Sequence, residues 1–321
     1  MIQQVLDLPL YCLTLPTPFP VGPVNVYLIT EPEPVLIDTG PGTPETLGLL
    51  EKLAAQANVR LDRLRKIVLS HGHVDHYGLA AALAARSGAR VYASPRDALH
   101  FEHQPGLGRF YAAMLAEAGV PPDILTRIAE QMAGVRDLAE PVPDYAPLAA
   151  LGPLPCGPLE FLPVDTPGHT PGSVSFFDHR RRILLSADTV IKHITPNPVL
   201  DTEDGDGGGR FPALSAYLES LERLRRLAPA VTFTGHGEPV TDFAELHERV
   251  VRQHERRQSA ISARLKTGGA TVFALGQSLF PEQGRYDFFL AVSEIYAHLD
   301  VMEAAAQVRR RFNGPQAVYS V

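Results

Sequence analysis

The sequence predicts an α/β protein with a helical insert and a small helical domain at its C-terminal end. Over most of residues 1–242, short runs of β-branched and aromatic residues alternate with segments of helical apolar spacing. Residues 95–153 differ, because the helical segments there are joined by Pro-rich connections. The 321-residue length fits one large domain, 1–242, followed by a small one, 243–321.

The first part of the chain predicts a strand–helix–strand order. Strands are expected over 11–15, 24–30, 34–37, 66–70 and 89–93. A helix is expected over 43–56, with Thr43 as its N-cap and Pro44 at the first helical position. A second helix, over 79–86, should end at Gly88. This alternation is typical of a layered α/β domain.

The later elements fall into three groups. The insert should contain helices over 108–118 and 122–133, and we interpret it as a cap outside the sheet. Strands over 159–163, 173–177, 183–186 and 231–234, with a helix over 214–227, continue the α/β pattern. Beyond them, helices over 243–265, 271–280 and 287–306 precede a hairpin around Asn313-Gly314, which resembles a winged helix.

Composition narrows the classes of function. A net charge of −7 argues against a protein that coats nucleic acid. The two cysteines, Cys12 and Cys156, form no CxxC and exclude a disulfide framework, which suits a reducing cytoplasm. The apolar runs fall far short of the about 20 residues that span a bilayer. The N-terminus lacks the basic start of a signal peptide, so we expect a cytoplasmic protein without a membrane partner.

Metal-type side chains follow five successive predicted strands, each in a tight loop. They are Asp38; His71, His73, Asp75 and His76; His169; Asp188; and His236. Loops at strand ends commonly carry sites, and imidazole and carboxylate suit zinc, iron or manganese. A loop that runs into a helix can place two of the four clustered residues on each side. Asp188 could then bridge two ions about 3.5–4 Å apart.

The other histidines carry no comparable pattern. We interpret six of them as ordinary surface or core residues: His100, His103, His179, His247, His254 and His298.

The HGHVDH run with Gly78, together with the other strand-end residues, is similar to the motif set of the metallo-β-lactamase superfamily. The resemblance covers about residues 8–240. It implies a four-layer αββα sandwich with a site at one edge that holds two divalent metal ions, zinc above all, with iron or manganese as alternatives. Carried over by residue, it assigns the first ion to His71, His73 and His169, the second to Asp75, His76 and His236, and the bridge to Asp188.

The resemblance also suggests a branch of the family. Asp38 would orient the ligand loop without binding metal, in line with the general role of groups behind metal ligands. A histidine at the second site, with Cys156 outside every ligand loop, is closer to the glyoxalase II, lactonase and nuclease branches than to thiol-using lactamases. No cluster matches the glutathione-binding residues of glyoxalase II.

The implied chemistry is hydrolysis. A hydroxide bridging two metal ions would attack a carbonyl or phosphorus, and either a metal-bound water or Asp75 would help to protonate the leaving group. We expect the substrate to be a small-molecule thioester, ester or lactone. An endoribonuclease is the alternative, and iron-dependent sulfur or oxygen chemistry, as in the related persulfide dioxygenases, is a third hypothesis.

Four residues are candidate substrate contacts, each with a structural alternative. Tyr111 of the insert could roof the site or pack in the insert's own core. Lys192 and His193 follow Asp188 and could reach the pocket or lie in a solvent-exposed loop. Arg210 ends the Gly-rich segment 202–210, which could be a flap over an anionic substrate or a surface linker.

The C-terminal segment bears on the nuclease alternative. Residues 243–321 hold ten Lys and Arg against eight Asp and Glu, and Arg309, Arg310 and Arg311 fall in the predicted hairpin. Such a hairpin could contact phosphates. A net +2 is weak for a nucleic-acid domain, so we favour a solvated face on a packing or homodimerisation domain.

Overall fold

Two β-sheets packed face to face form the centre of this computed structural model, which describes residues 1–205, 208–281 and 287–321. The first sheet pairs antiparallel up to its fourth strand and parallel after it. Its strands, in spatial order, are β1 (Ile2–Gln4), β2 (Leu10–Leu15), β3 (Val24–Ile29), β4 (Val35–Ile37), β5 (Lys66–Val68), β6 (Arg90–Ala93) and β7 (Ala146–Pro147).

The second sheet is antiparallel except at one edge. Its strands are β8 (Leu154–Cys156), β9 (Leu159–Asp165), β10 (Val174–Asp178), β11 (Ile183–Ala187) and β12 (Val231–Thr234), with β11 and β12 parallel. A third, small sheet at the C-terminal end contains β13 (Ala270–Thr271), β14 (Arg309–Asn313) and β15 (Gln316–Ser320).

Helices cover the outer faces of both large sheets. In chain order they are α1 (Pro44–Gln56), α2 (Val74–Tyr77), α3 (Ala80–Ser87), α4 (Ala98–Phe101), α5 (Pro105–Glu117), α6 (Pro122–Arg136), α7 (Ala213–Leu227), α8 (Phe243–Leu265), α9 (Val272–Leu279) and α10 (Asp287–Ala304). The expected cap of α1 is confirmed, since the Thr43 side chain accepts a bond from the Thr46 amide. Gly88 ends α3 with φ +70°, a left-handed conformation that glycine adopts without strain.

The apolar side chains sort into layers. Leu50 and Leu53 of α1 and Leu83 of α3 pack on the outer face of the first sheet. Between the sheets, Ile37 faces Phe176 and other buried residues of the second sheet. On the far side, α7 packs against the outer face of β10 and β11. These layers confirm the predicted αββα sandwich.

The insert differs from the expectation in two respects. Its end is part of the sheet, because β7 pairs with β6, so the interpretation of 95–153 as wholly outside the sheet was wrong at residues 146–147. Its helices also share a core with the C-terminal segment. Phe110 and Leu115 of α5 lie in one apolar cluster with Val272 of α9 and Ile295 of α10.

Polar contacts join the same two segments. The Tyr296 hydroxyl donates to the Met114 carbonyl at 3.0 Å, and the Phe273 amide donates to the Ala118 carbonyl at 3.0 Å. The C-terminal helices and the hairpin at Gly314 form as expected. The winged-helix assignment and the division at residue 242 stay predictions. Among the described residues, we find no helix with the length and apolar character that a bilayer span requires.

Candidate metal centre

The carboxyl ends of parallel strands bring the predicted site residues to one edge of the sandwich. Asp38 follows β4 and His71 follows the neighbouring β5, while Asp188 and His236 follow the parallel pair β11 and β12. A backbone hydrogen bond joins the two sheets at this edge. The Val174 amide donates to the Ser70 carbonyl at 2.9 Å.

The HGHVDH run splits as expected where a loop enters a helix. His73 is the N-cap of α2, so His71 and His73 lie in the loop while Asp75 and His76 lie in the first helical turn. The His76 carbonyl accepts a bond from the Thr39 amide at 2.7 Å, which fixes the helix to the end of β4. Two adjacent groups of ligand-type atoms result.

The first group consists of three histidines whose ring nitrogens converge. His71 Nε2 lies 3.1 Å from His73 Nδ1, and the ring of His169 lies 5.1 Å from that of His71 and 4.6 Å from that of His73. One ligand atom from each residue lies within 4.8 Å of the other two. These are the residues predicted for the first ion.

The second group is Asp75, His76 and His236, as predicted for the second ion. Asp75 Oδ2 lies 3.4 Å from His236 Nε2 and 4.0 Å from His76 Nε2. Asp188 lies between the groups. Its Oδ1 is 3.4 Å from His76 Nε2, and its Oδ2 is 3.4 Å from His236 Nε2 and 3.6 Å from His169 Nε2. The structure thus brings together all seven predicted ligands, with Asp188 in contact with both groups.

Groups behind the ligands set which ring nitrogen is free to bind. His169 Nδ1 donates to the Asn197 carbonyl at 3.1 Å, and His236 Nδ1 donates to the Pro23 carbonyl at 2.9 Å. Because a carbonyl accepts but never donates, both rings carry a proton on Nδ1. The Nε2 atom of each ring therefore faces the site and is the atom that could bind an ion.

Asp38 fixes two further ligands in the same way. Its Oδ2 accepts bonds from His76 Nδ1 at 2.8 Å and from the Ser70 hydroxyl at 2.7 Å, and its Oδ1 accepts from the Ser70 amide at 2.8 Å. Because the Ser70 hydroxyl donates its hydrogen bond to Asp38, its oxygen accepts one from His71 Nδ1 at 3.0 Å. Asp38 is buried and orients His76 directly and His71 through Ser70.

Buried atoms without partners show that the residues fit a metal. Within the described ranges, His76 Nε2, His169 Nε2, His236 Nε2 and Asp188 Oδ1 are buried and have no hydrogen-bond partner. Buried polar atoms are nearly always paired, so four that converge at one point call for a bound cation. The donor set of imidazole and carboxylate suits a divalent transition metal.

The two groups differ in protonation when no ion is bound. Burial, together with repulsion between neighbouring histidines, lowers the pKa of His71 and His73 well below the usual range; burial also lowers that of His169. Burial opposes the charged form of His236 too, but Asp188 and Asp75 outweigh it and raise its pKa to about 10. The pKa of His76 rises well above its usual value against burial, because Asp188, Asp38 and Asp75 favour the charged ring.

Sequence reasoning missed Asp97, which ties two ligand loops together. This fully buried carboxylate accepts bonds from the Gly72 amide at 2.7 Å, the Gly172 amide at 2.6 Å and the Thr170 hydroxyl at 2.7 Å. It therefore joins the loop of His71 and His73 to that of His169. Asp97 follows β6, the next parallel strand, and the rule that sites lie at strand ends could have found it.

Sequence reasoning also missed the pair formed by His100 and Asp201. His100 Nε2 lies 2.9 Å from Asp201 Oδ2, and its ring packs edge-on against that of His73 at 6.2 Å. Burial lowers the pKa of His100, but Asp201 outweighs it and raises the value to about 8. Although we interpreted His100 as ordinary, it supports a ligand ring.

The predicted substrate contacts lie in three different settings. Tyr111 is buried, with its ring 5.1 Å from that of Phe289, in the core shared by the insert and the C-terminal segment. Lys192 and His193 are exposed, and His193 Nε2 donates to the Val21 carbonyl at 3.3 Å. Their role as substrate contacts stays a prediction.

Arg210 has protein partners. It forms ion pairs with Asp300 and with Glu117 at 3.4 Å, and its guanidinium lies 4.3 Å over the Tyr296 ring. These contacts join the insert to α10 and do not require a substrate anion. Residues 206 and 207, at the middle of the predicted flap, lie outside the described residues.

Comparisons with known proteins agree with this geometry. A family model described as the metallo-beta-lactamase superfamily matches residues 19–236. The chain is 30% identical to the probable metallo-hydrolase YqjP of Bacillus subtilis (strain 168) over 309 residues, which cover 94% of each chain. It is 23% identical to the atrochrysone carboxyl ACP thioesterase of Aspergillus fumigatus over 243 residues, 75% of this chain and 44% of the thioesterase.

A solved structure extends the likeness to 97% of this chain. The metallo-beta-lactamase family protein TTHA1429 from Thermus thermophilus superposes with a TM-score of 0.85 at 28% identity, covering 97% of this chain and 98% of that one. Family model, relative and fold coincide with a site of converging His and Asp side chains. This chain therefore belongs to the metallo-β-lactamase superfamily.

Proposed function

We propose that the protein is a binuclear metal-dependent hydrolase that cleaves a small-molecule thioester or a related ester or lactone. The observation that carries the proposal is Asp188, whose two oxygens reach ligands of both groups at 3.4–3.6 Å. A carboxylate in that position is the usual bridge of two-metal hydrolytic sites. We propose zinc as the native ion, with iron or manganese as outcomes that a metal analysis would reveal.

The residues divide the work of such a reaction. His71, His73 and His169 would hold one ion and Asp75, His76 and His236 the other. Divalent ions in such a site lower the pKa of water to near neutrality and polarise the carbonyl that is attacked. Asp38 and Asp97 hold the ligand loops in register, so the site needs little reorganisation when substrate arrives.

The charge state of Asp75 favours a particular leaving group. Burial raises its pKa, but His76 and His236 outweigh this and keep the pKa below its usual value, so Asp75 is ionised. An ionised Asp75 can pass a proton to the leaving group, as the sequence analysis expects, only after it has accepted that proton from the attacking water, so a leaving group that needs no proton is favoured. Thiolates leave without a proton more readily than amines, since the thiol pKa is only about 8.5. A thioester suits this site better than an amide, and the thioesterase relative supports the same class.

One observation favours the second candidate, an endoribonuclease. Arg309 and Arg311 of the hairpin are exposed, and so is Phe312 at 61%, whose ring lies 5.7 Å from the Arg310 guanidinium. Exposed arginines and an exposed aromatic ring on one hairpin are suited to phosphates and unstacked bases. Arg310 forms ion pairs with Glu117 and Glu303, which reduces the positive charge that the hairpin has available for phosphates.

A panel of acyl thioesters tests the proposal. Zinc-loaded protein should release thiol from at least one short or medium acyl thioester, and a chelator should abolish release until zinc is restored. The same preparations are incubated with single-stranded RNA. Metal-dependent RNA cleavage without thiol release would replace the first proposal by the second.

A further inference from the structure

A second cluster of metal-type side chains lies between two C-terminal helices. It contains His254 of α8 and Glu294 and His298 of α10, all buried. His298 Nε2 lies 3.3 Å from His254 Nδ1 and 3.3 Å from Glu294 Oε1. One ligand atom from each residue lies within 4.8 Å of the others. None of the three belongs to the strand-end loops of the centre described above.

Helix geometry explains why these atoms converge. Glu294 and His298 are four residues apart on one helix, so their side chains share a face. His254 reaches them from the facing helix. The sequence shows only an isolated histidine and an E-x-x-x-H spacing, which is why it predicts two ordinary histidines here.

Hydrogen bonds alone satisfy the polar atoms of this cluster poorly. If His298 Nε2 carries a proton, that proton is shared by two acceptors, each at the long end of the range for a hydrogen bond. If it carries a lone pair, that lone pair faces the Glu294 carboxylate. The other nitrogen of each ring, His254 Nε2 and His298 Nδ1, points away from this contact, so His254 Nδ1, His298 Nε2 and Glu294 Oε1 are the atoms that could hold a ligand.

The spacing suits a small cation. Ligands at about 2.0–2.1 Å in a tetrahedron lie about 3.4 Å apart, close to both 3.3 Å separations. Arg257 is the neighbouring positive charge, with its Nη1 3.6 Å from Glu294 Oε1 and its guanidinium 4.3 Å over the Phe280 ring. The Arg257 side chain is 21% exposed and that of Glu294 is 10% exposed, so Arg257 is the more exposed partner of this ion pair.

We propose that His254, Glu294 and His298 form a third metal site, which binds one divalent transition-metal ion of the zinc class and cross-links α8 to α10. Two imidazoles and one carboxylate are a common donor set for such ions. The ion would stabilise the packing of α10 next to the catalytic edge, because Asn197 connects the two. The Asn197 side chain donates to the Leu290 carbonyl of α10 at 3.1 Å, and the Asn197 backbone carbonyl accepts from His169 Nδ1. The proposal does not depend on the reaction that the protein catalyses.

The test separates this site from the binuclear one by removing ligands of both groups. In a His71→Ala/His236→Ala background, zinc is added to metal-free protein, unbound ion is removed by gel filtration, and bound zinc is counted per chain. We expect about one zinc per chain, and near zero when His298→Ala is added. His247→Ala is the matched control, since it removes a partly buried histidine of α8 that lies 3.5 Å from Glu222, and it should keep the ion.

A second readout uses only the intact cluster, so it does not depend on whether the His298 variant folds. Excess zinc should raise the melting temperature of the background protein, and cobalt should give the visible absorption of a nitrogen- and oxygen-bound ion. No bound zinc and no shift in the background protein would overturn the proposal. Zinc that persists after His298→Ala would place the ion elsewhere and would overturn it equally.

Discussion

Replacing Asp188 by alanine in a His298→Ala background, which lacks the proposed third metal site, should lower metal-dependent thiol release by about 10³-fold or more and reduce bound zinc from two ions to at most one. Removing a single preorganised group that stabilises developing charge costs about 10²–10³ in rate, and Asp188 also holds the ions that generate that stabilisation. Its carboxylate contacts His76, His169 and His236, so three ligands lose their shared partner. The measurement is kcat with zinc per chain on the same sample.

Asp178→Asn provides the matched control. Asp178 is buried like Asp188 and ends the neighbouring strand β10, but it accepts bonds from the amides of Glu160 and Arg181 at the far turn. Its loss should cost stability and leave metal content and rate per folded molecule near those of the parent. A similar fall in both variants would show that Asp188 acts through stability alone.

The two ions should respond differently to pH. The pKa values of His71, His73 and His169 are lowered, so these rings are neutral at pH 7 and an ion displaces no proton from them. His76 and His236 have raised pKa values and are charged at pH 7, so an ion at the second group must displace one proton from each. Its affinity should therefore fall as pH falls, by about 100-fold per pH unit for two protons.

Equilibrium dialysis against buffered zinc between pH 8 and 6 measures this difference. In a His298→Ala background, which lacks the proposed third metal site, bound zinc should decline from two ions towards one, and calorimetry in buffers of different ionisation enthalpy should detect about two protons released by the weaker ion and about none by the tighter one. Loss of both ions together, without proton release, would contradict the assignment of separate protonation states to the two groups.

The ligand set is the part of the site that the sequence predicts best. Four metal-type residues cluster after one buried strand, and three more follow later strands, because the chain returns repeatedly to the same sheet edge. Asp97 could not be assigned with similar force, since a single carboxylate in a short turn has no spacing that distinguishes it from a capping residue. Only the folded structure shows that it accepts bonds from two separate ligand loops.

The layers were predictable and the contacts between distant segments were not. Local apolar periodicity places α7 and α8 as amphipathic helices, but it cannot show which surface each one covers. The insert was expected to roof the site or to form its own core. In fact Phe110 and Leu115 pack with residues about 160–185 positions later, such as Val272 and Ile295. Arg210 illustrates the same limit, because its partner Asp300 lies on α10.

Anomalous diffraction at the zinc edge from zinc-loaded crystals would locate the ions of the proposed binuclear site themselves. We expect two peaks about 3.5–4 Å apart, with Asp188 between them. One peak should lie against His71, His73 and His169, and the other against Asp75, His76 and His236. A single peak at this edge, or two peaks that Asp188 does not contact, would contradict the binuclear site.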